Sequence, residues 1–95
     1  MPQHAKAIVT ITNRLGLHAR PAMSLVDLAS GFSASVIIRR TDDAGAEAVD
    51  GKSIMQVMML AATQGTELEI TCEGDDAQAL CDGLASLVGR GFDED

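Results

Sequence analysis

The chain has 95 residues, 46% of them hydrophobic, which suits one domain with a modest core. Its formal charge of −7 opposes a nucleic-acid backbone, and with Phe32 and Phe92 as the only aromatics it offers no platform for stacking bases, so no nucleic-acid partner is expected. No basic and apolar leader opens the sequence and no apolar run approaches membrane-spanning length, so membrane insertion is not expected and the cytoplasm is the expected compartment.

The run AKAIVTIT, Ala5 to Thr12, is β-branched and half-alternating, which predicts a first strand. NRLGLH then reads as a loop, with Gly16 free to take a backbone angle that other residues resist. From Ala19 the period changes: Ala22, Leu25, Val26 and Ala29 recur at three and four residues and predict a helix stopped by Gly31. Pro21 fits there because, in a first turn, its missing N–H breaks no helical bond. Phe32 to Arg40 alternates, with Ala34, Val36 and Ile38 on one face and Ser33, Ser35, Ile37 and Arg39 on the other. TDDAG turns the chain, Ala46 to Val49 forms a short return strand, and Asp50 and Gly51 break it. Ser53 is placed to cap a short helix reaching about Ala62, with Ile54, Val57, Met58 and Ala61 on one side.

Gly65 restarts extended chain in which Leu68, Ile70 and Cys72 share a face. Asp75 or Asp76 caps a last helix striped by Ala77, Leu80, Cys81, Leu84, Leu87 and Val88. Gly89 and Gly91 end it, and the acidic tail FDED is expected to be loose. Cys72 and Cys81 fall on apolar positions and read as buried thiols rather than a bridge or metal ligands. No repeat or linker divides residues 1–95. The order strand, helix, strand, strand, helix, strand, helix predicts an α+β fold, a two-layer sandwich with helices over one sheet face and solvent on the other.

His18 stands immediately before the periodic residues of the first helix, at or next to its N-cap. The N–H groups of Ala19 and Arg20 then lack helical acceptors and point toward whatever the histidine carries. Arg20 adds a guanidinium matched to phosphate oxygens. Free N–H groups, the positive end of the helix dipole and the guanidinium form positive surroundings for a dianionic phosphoryl group. The dipole is worth roughly 1 kcal/mol or less in an exposed first turn. Each charged hydrogen bond adds about 1.5–3 kcal/mol before desolvation, enough to moderate a labile phosphoimidazole without locking it. The plainer reading is a solvated histidine that merely ends a helix. Metal binding is weaker, because His4 is the only other histidine and no carboxylate cluster with ligand spacing surrounds His18. No base and orienting acid accompany a candidate Ser or Cys nucleophile, and no cofactor is called for.

The run Gly16-Leu17-His18-Ala19-Arg20-Pro21-Ala22 resembles the active-site motif of the histidine-containing phosphocarrier (HPr) family of the bacterial phosphotransferase system. The resemblance continues through Gly51-Lys52-Ser53-Ile54-Met55 and Gln64-Gly65-Thr66-Glu67-Leu68 into the final helix, so it covers nearly the whole chain. It implies a four-stranded antiparallel sheet with three helices on one face, an open-faced sandwich. It also implies that His18 accepts a phosphoryl group on Nδ1 from Enzyme I, itself charged by phosphoenolpyruvate, and passes it to a histidine of an EIIA-type domain. Arg20 would stabilise that group and the Ala19 N–H would assist. Such a protein is a covalent relay rather than an enzyme, and a monomer is expected.

Ser53, at the start of the short helix, reads first as a plain cap. The resemblance implies a regulatory serine in some branches, modified by an HPr kinase/phosphorylase. The short helix has more apolar residues than one buried stripe needs. Methionine filling core gaps would account for some of them; a shallow docking patch formed by Leu17, Met23, Ile54, Met55 and Met58 would account for the rest. The tail GFDED and the stretch AMSLVDLASGF resemble the nitrogen-related branch of the family, whereas Lys52-Ser53-Ile54-Met55 resembles the sugar branch. Asp27 stands where many sugar-branch members carry a basic residue, and Gln56 replaces a frequent glycine. The rival classes are an interaction module docking through the methionine-rich face and, with less support, an autonomous enzyme.

Overall fold

The computed structural model describes residues 3–43 and 45–94. Seven strands and α-helices follow one another, β1 (Gln3–Thr10), α1 (Ala19–Ser30), β2 (Ser35–Arg40), β3 (Val49–Asp50), α2 (Ile54–Met58), β4 (Glu67–Gly74) and α3 (Ala77–Gly89), and a single 3-10 turn, Gly91–Asp93, comes after them. The strands form one antiparallel sheet in the order β1-β4-β2-β3, with Ala7 opposite Ile70 and Ile38 opposite both Ile70 and Val49. Alternation decides the faces. Ala5, Val9, Val36, Ile38, Leu68, Ile70 and Cys72 point into the core, while Ile8 and Ile37 stand exposed on the open face. The expected two-layer architecture is the one observed.

The helical stripe of α3 supplies Leu80, Leu84 and Val88 to the core with no exposure. Burying each such leucine stabilises the fold by roughly 1.5–3 kcal/mol. Cys72 on β4 and Cys81 on α3 are both buried free thiols, and burial pushes the Cys72 thiol up to about 12. Among the described residues no helix is long and apolar enough to cross a membrane.

Several boundaries differ from the sequence reading, each for a local reason. β1 ends at Thr10 rather than Thr12 because Ile11 bonds out of the strand, its N–H to Thr66 O at 2.9 Å and its carbonyl to Gly65 N–H at 2.8 Å. β2 begins at Ser35 rather than Phe32, since the N–H groups of Ser33 and Ala34 donate to the Asp76 carboxylate instead of a neighbouring strand. Those bonds hold the Asp76 carboxyl below its ordinary range, and they occupy it, so it heads α3 without capping it. The return strand is Val49–Asp50 rather than Ala46 to Val49.

Helix α2 stops at Met58, well short of Ala62. Leu60 and Ala61 donate back three residues, Ala61 takes a φ of 49°, and the Arg40 guanidinium collects the carbonyls of Leu60 and Ala61 at 3.1 and 3.4 Å. Of the predicted stripe on α2 only Val57 is buried; Ile54, Met58 and Ala61 are exposed.

The loop between β1 and α1 is fixed by Gly16, whose φ of +69° suits a residue without a side chain. A Cβ there would lie 2.5 Å from Ala62 O and 2.9 Å from Thr63 Cα. Gly16→Ala is therefore expected to destabilise the protein by on the order of 2–4 kcal/mol, combining left-handed strain with a backbone clash. Urea denaturation reads this directly, and an unchanged midpoint would mean that the loop gives way freely.

Candidate functional site

His18 is the N-cap of α1, in extended conformation (φ −79°, ψ −171°), as its position before the periodic residues predicts. The first bond of the helix runs from Ala22 N–H to His18 O at 3.0 Å. Pro21 has no N–H, so the N–H groups of Ala19 and Arg20 are the ones left without helical acceptors. The His18 side chain makes no capping bond and is 38% exposed, so its ring is open to solvent. Arg20 is exposed in the same turn.

The surroundings of the ring are not purely positive, as the sequence reading expected. Glu94 Oε1 lies 2.9 Å from His18 Nε2. The same oxygen accepts from Asn13 Nδ2 at 2.8 Å, and Asn13 Nδ2 also donates to Gly16 O at 2.6 Å. Asn13 is 2% exposed and ties the loop, the tail and the ring together, with its Oδ1 unpartnered among the described residues.

The tail that supplies Glu94 is therefore not loose. Gly91, Phe92 and Asp93 take φ values of 64°, 58° and 58°, a left-handed turn that places Phe92 in the core at 7% exposure. Two non-glycine residues in that region cost of order 1 kcal/mol each, and burial of Phe92 with the bonds of Glu94 offsets this. Asn13 and Glu94 are the site residues that sequence reasoning missed. One signal for them was present: an aromatic residue following a terminal helix, in a chain with only two aromatics, is poorly placed in a free tail.

The expected docking residues separate. Leu17 is 5% exposed and belongs to the core, because its N–H is drawn to Ala62 O at 2.8 Å and its side chain turns inward. It cannot serve as a docking residue. Met23, Ile54, Met55 and Met58 are all exposed, Met55 most at 77%, and Met59 joins them. Met23, Val26, Asp27 and Ile54 line a shallow cavity of about 260 Å³ between α1 and α2. A larger cleft of about 880 Å³, lined by residues including Arg40, Glu47 and Gln56, contains none of the predicted site residues.

Ser53 caps α2, its Oγ accepting from Gln56 N–H at 3.3 Å. Gln56 Oε1 in turn accepts from Asp50 N–H. Lys52, beside Ser53, already donates its Nζ to Phe32 O at 2.7 Å. Among the described residues no group of three or more His, Cys, Asp or Glu is arranged to hold a metal ion.

A histidine at a helix N-cap, with free N–H groups and an arginine in the first turn, thus stands on an open-faced sandwich, the arrangement that the sequence's resemblance to a phosphocarrier family implies. The family described as "PTS HPr component phosphorylation site" matches residues 5–90. The phosphocarrier protein NPr of Escherichia coli (strain K12) is 40% identical over 90 residues, 95% of this chain and 97% of that one. The phosphocarrier protein HPr of Pseudomonas putida is 44% identical over 86 residues, 90% of this chain and 92% of that one. The crystal structure of HPr-C-His from Thermoanaerobacter tengcongensis superposes with a TM-score of 0.87 at 34% identity, covering 96% of this chain and 98% of its own. The chain belongs to the HPr family of phosphotransferase-system phosphocarriers, and relatives from both the HPr and NPr branches match it.

Acid should open the tail. The Glu94 carboxyl is held below its ordinary value of 4.5, chiefly by the His18 ring, against burial, and then by Asn13 and the charges of His18 and Arg20. A depressed carboxyl adds stability above its ordinary value and loses it as pH falls through the depressed one. NMR signals of residues 90–94 are expected to shift in that acid window in the native chain and not in Glu94→Gln. The same transition in both proteins would assign it to another group.

Proposed function

We propose that this chain is a phosphoryl relay in which His18 accepts the group on Nδ1 from phosphorylated Enzyme I and gives it to a histidine of an EIIA-type domain. The observation that carries this reading is the N-cap position of His18, with the Ala19 and Arg20 N–H groups free and the Arg20 side chain in the same turn. In loading, the lone pair of Nδ1 forms a new N–P bond while the N–P bond of the donor's phosphohistidine breaks, its electron pair returning to the donor ring. Unloading is the same exchange in reverse, onto the acceptor's histidine. Ala19 N–H and Arg20 bind the phosphoryl oxygens in both directions. The chain contributes a covalent carrier to reactions that its partners complete, and is not itself an enzyme.

Donor and acceptor are proposed to dock over α1 and α2, on Met23, Ile54, Met55 and Met58. Adaptable methionine side chains suit a surface that serves two partners in turn. The GFDED tail and the first helix favour the nitrogen-related branch; the sugar-type alternative rests on the segment Lys52 to Met55. Ser53 is proposed as a second, regulatory acceptor for an HPr kinase/phosphorylase, since a phosphate on a cap residue meets free N–H groups.

Incubation with Enzyme I and phosphoenolpyruvate is expected to add one acid-labile, base-stable phosphoryl group, seen by mass spectrometry. His18→Ala should take none, and equal labelling of that variant would sink the assignment. Arg20→Ala should load about tenfold more slowly, the loss of one charged hydrogen bond. In the same instrument, ATP and an active serine kinase of the family should add an acid-stable group at Ser53, and an unmodified Ser53 would remove it from the account. Transfer to a nitrogen-type EIIA should outpace transfer to a sugar-type one; the reverse order would place the chain in the sugar branch.

Met55→Glu tests the docking face. It is expected to slow loading and unloading by about tenfold through lost apolar contact, with the denaturation midpoint unchanged because the side chain is exposed. Native transfer rates in this variant would remove α2 from the interface.

A further inference from the structure

We infer that Glu94 is a positioning residue for His18, holding the ring proton on Nε2 so that Nδ1 presents the lone pair, and stabilising the positive ring that forms when phosphorus is bound. The inference rests on the reading of His18 as the phosphoryl acceptor and assigns a part in it to the C-terminal turn.

Three observations meet here. The carboxylate of Glu94 is 2.9 Å from Nε2 and, being ionised, has only acceptor oxygens, so the hydrogen between them belongs to the ring. A neutral imidazole with its hydrogen on Nε2 has its lone pair on Nδ1. The carboxylate is itself held: its other partner is the buried Asn13 amide at 2.8 Å, which also fixes the loop before His18. Finally, Glu94 is presented by three consecutive left-handed residues, Gly91 to Asp93, anchored by buried Phe92. Strain of this kind persists where surrounding contacts over-determine it, and here they aim one oxygen at one ring nitrogen.

The chemistry follows from the charge balance. When neutral His18 attacks through Nδ1, the N–P bond forms and the donor's N–P bond breaks, with no proton lost from Nε2. The ring becomes a phosphorylated cation, and the positive charge is shared with the Nε2–H that Glu94 already binds. A carboxylate there favours loading, and it keeps the ring a good leaving group for the next transfer. The geometry is that of an acid orienting a histidine through the nitrogen that does not react.

The test uses the full chain with 15N-labelled histidine, in alkaline solution, beside loading kinetics with Enzyme I and phosphoenolpyruvate. The native ring is expected to hold its hydrogen on Nε2 alone. In Glu94→Ala both ring nitrogens should move toward a tautomer mixture, and loading should slow by about tenfold, as expected for a lost charge-assisted bond. Glu94→Gln keeps an acceptor without the charge, so it should restore the single tautomer and only part of the rate. Unchanged ring nitrogens in Glu94→Ala would overturn the inference whatever the rate does, and so would a changed tautomer with a native rate. If the native chain takes no phosphoryl group while the tautomer still depends on Glu94, the function proposed above fails and the ring–carboxylate coupling stands.

Discussion

One main-chain bond, from Leu17 N–H to Ala62 O at 2.8 Å, sets where His18 can be. It pulls the loop before α1 against the segment that follows α2, which are far apart in sequence. Neighbouring bonds repeat the joint: Ile11 with Thr66 and Gly65, and Gln64 Nε2 with Thr12 O. The price appears in the backbone, where Gly16 and Ala61 both take positive φ. Arg40 then becomes comprehensible, since a helix that ends early leaves carbonyls exposed, and its guanidinium meets two of them. Helix α2 is short because its last residues are needed as a wall for the loop that holds His18.

The same joint explains why the ring sees a carboxylate. The loop brings Asn13 inward, and Asn13 donates both to the loop carbonyl of Gly16 and to Glu94. A chain with a net charge of −7 thus places one of its acidic groups against its candidate reactive residue, with Arg20 exposed in the first turn nearby. Burial of Phe92 keeps that acid in place. Long-range charge does not supply such an arrangement; it comes from hydrogen bonds within about 3 Å.

Periodicity made the layers legible. Ala22, Leu25 and Ala29, and the stripe from Ala77 to Val88, are buried where the 3.6-residue repeat puts them, because helix faces and the sheet interior impose the same geometry everywhere. His18 was legible for a related reason: the change of period marks the helix start, and Pro21 marks the first turn. What stayed hidden depended on contacts between distant segments. Ser33 and Ala34 look like strand residues until Asp76 claims their N–H groups. Leu17, next to an exposed histidine, looks like surface until its N–H is taken by Ala62 O. Glu94 looks like one acid among several in a polar tail, and only the left-handed turn at Phe92 returns it to the ring.

A phosphocarrier makes its own demands on these contacts. The group must be held in a passage between two partners, and any bond that favours the loaded form strongly would slow its release. In the proposed relay the free N–H groups and Arg20 would act on the phosphoryl oxygens, drawing the anion in. Glu94 would act at the other end of the ring, keeping the hydrogen on Nε2 so that the imidazole leaves as a neutral ring when the N–P bond breaks. Because Nε2 and Nδ1 lie on opposite sides of the imidazole, the two influences do not compete for the same atoms. An exposed N-cap histidine with an acid on its Nε2 and free N–H groups at the helix start takes no more to build than a short helix start joined to a tucked tail.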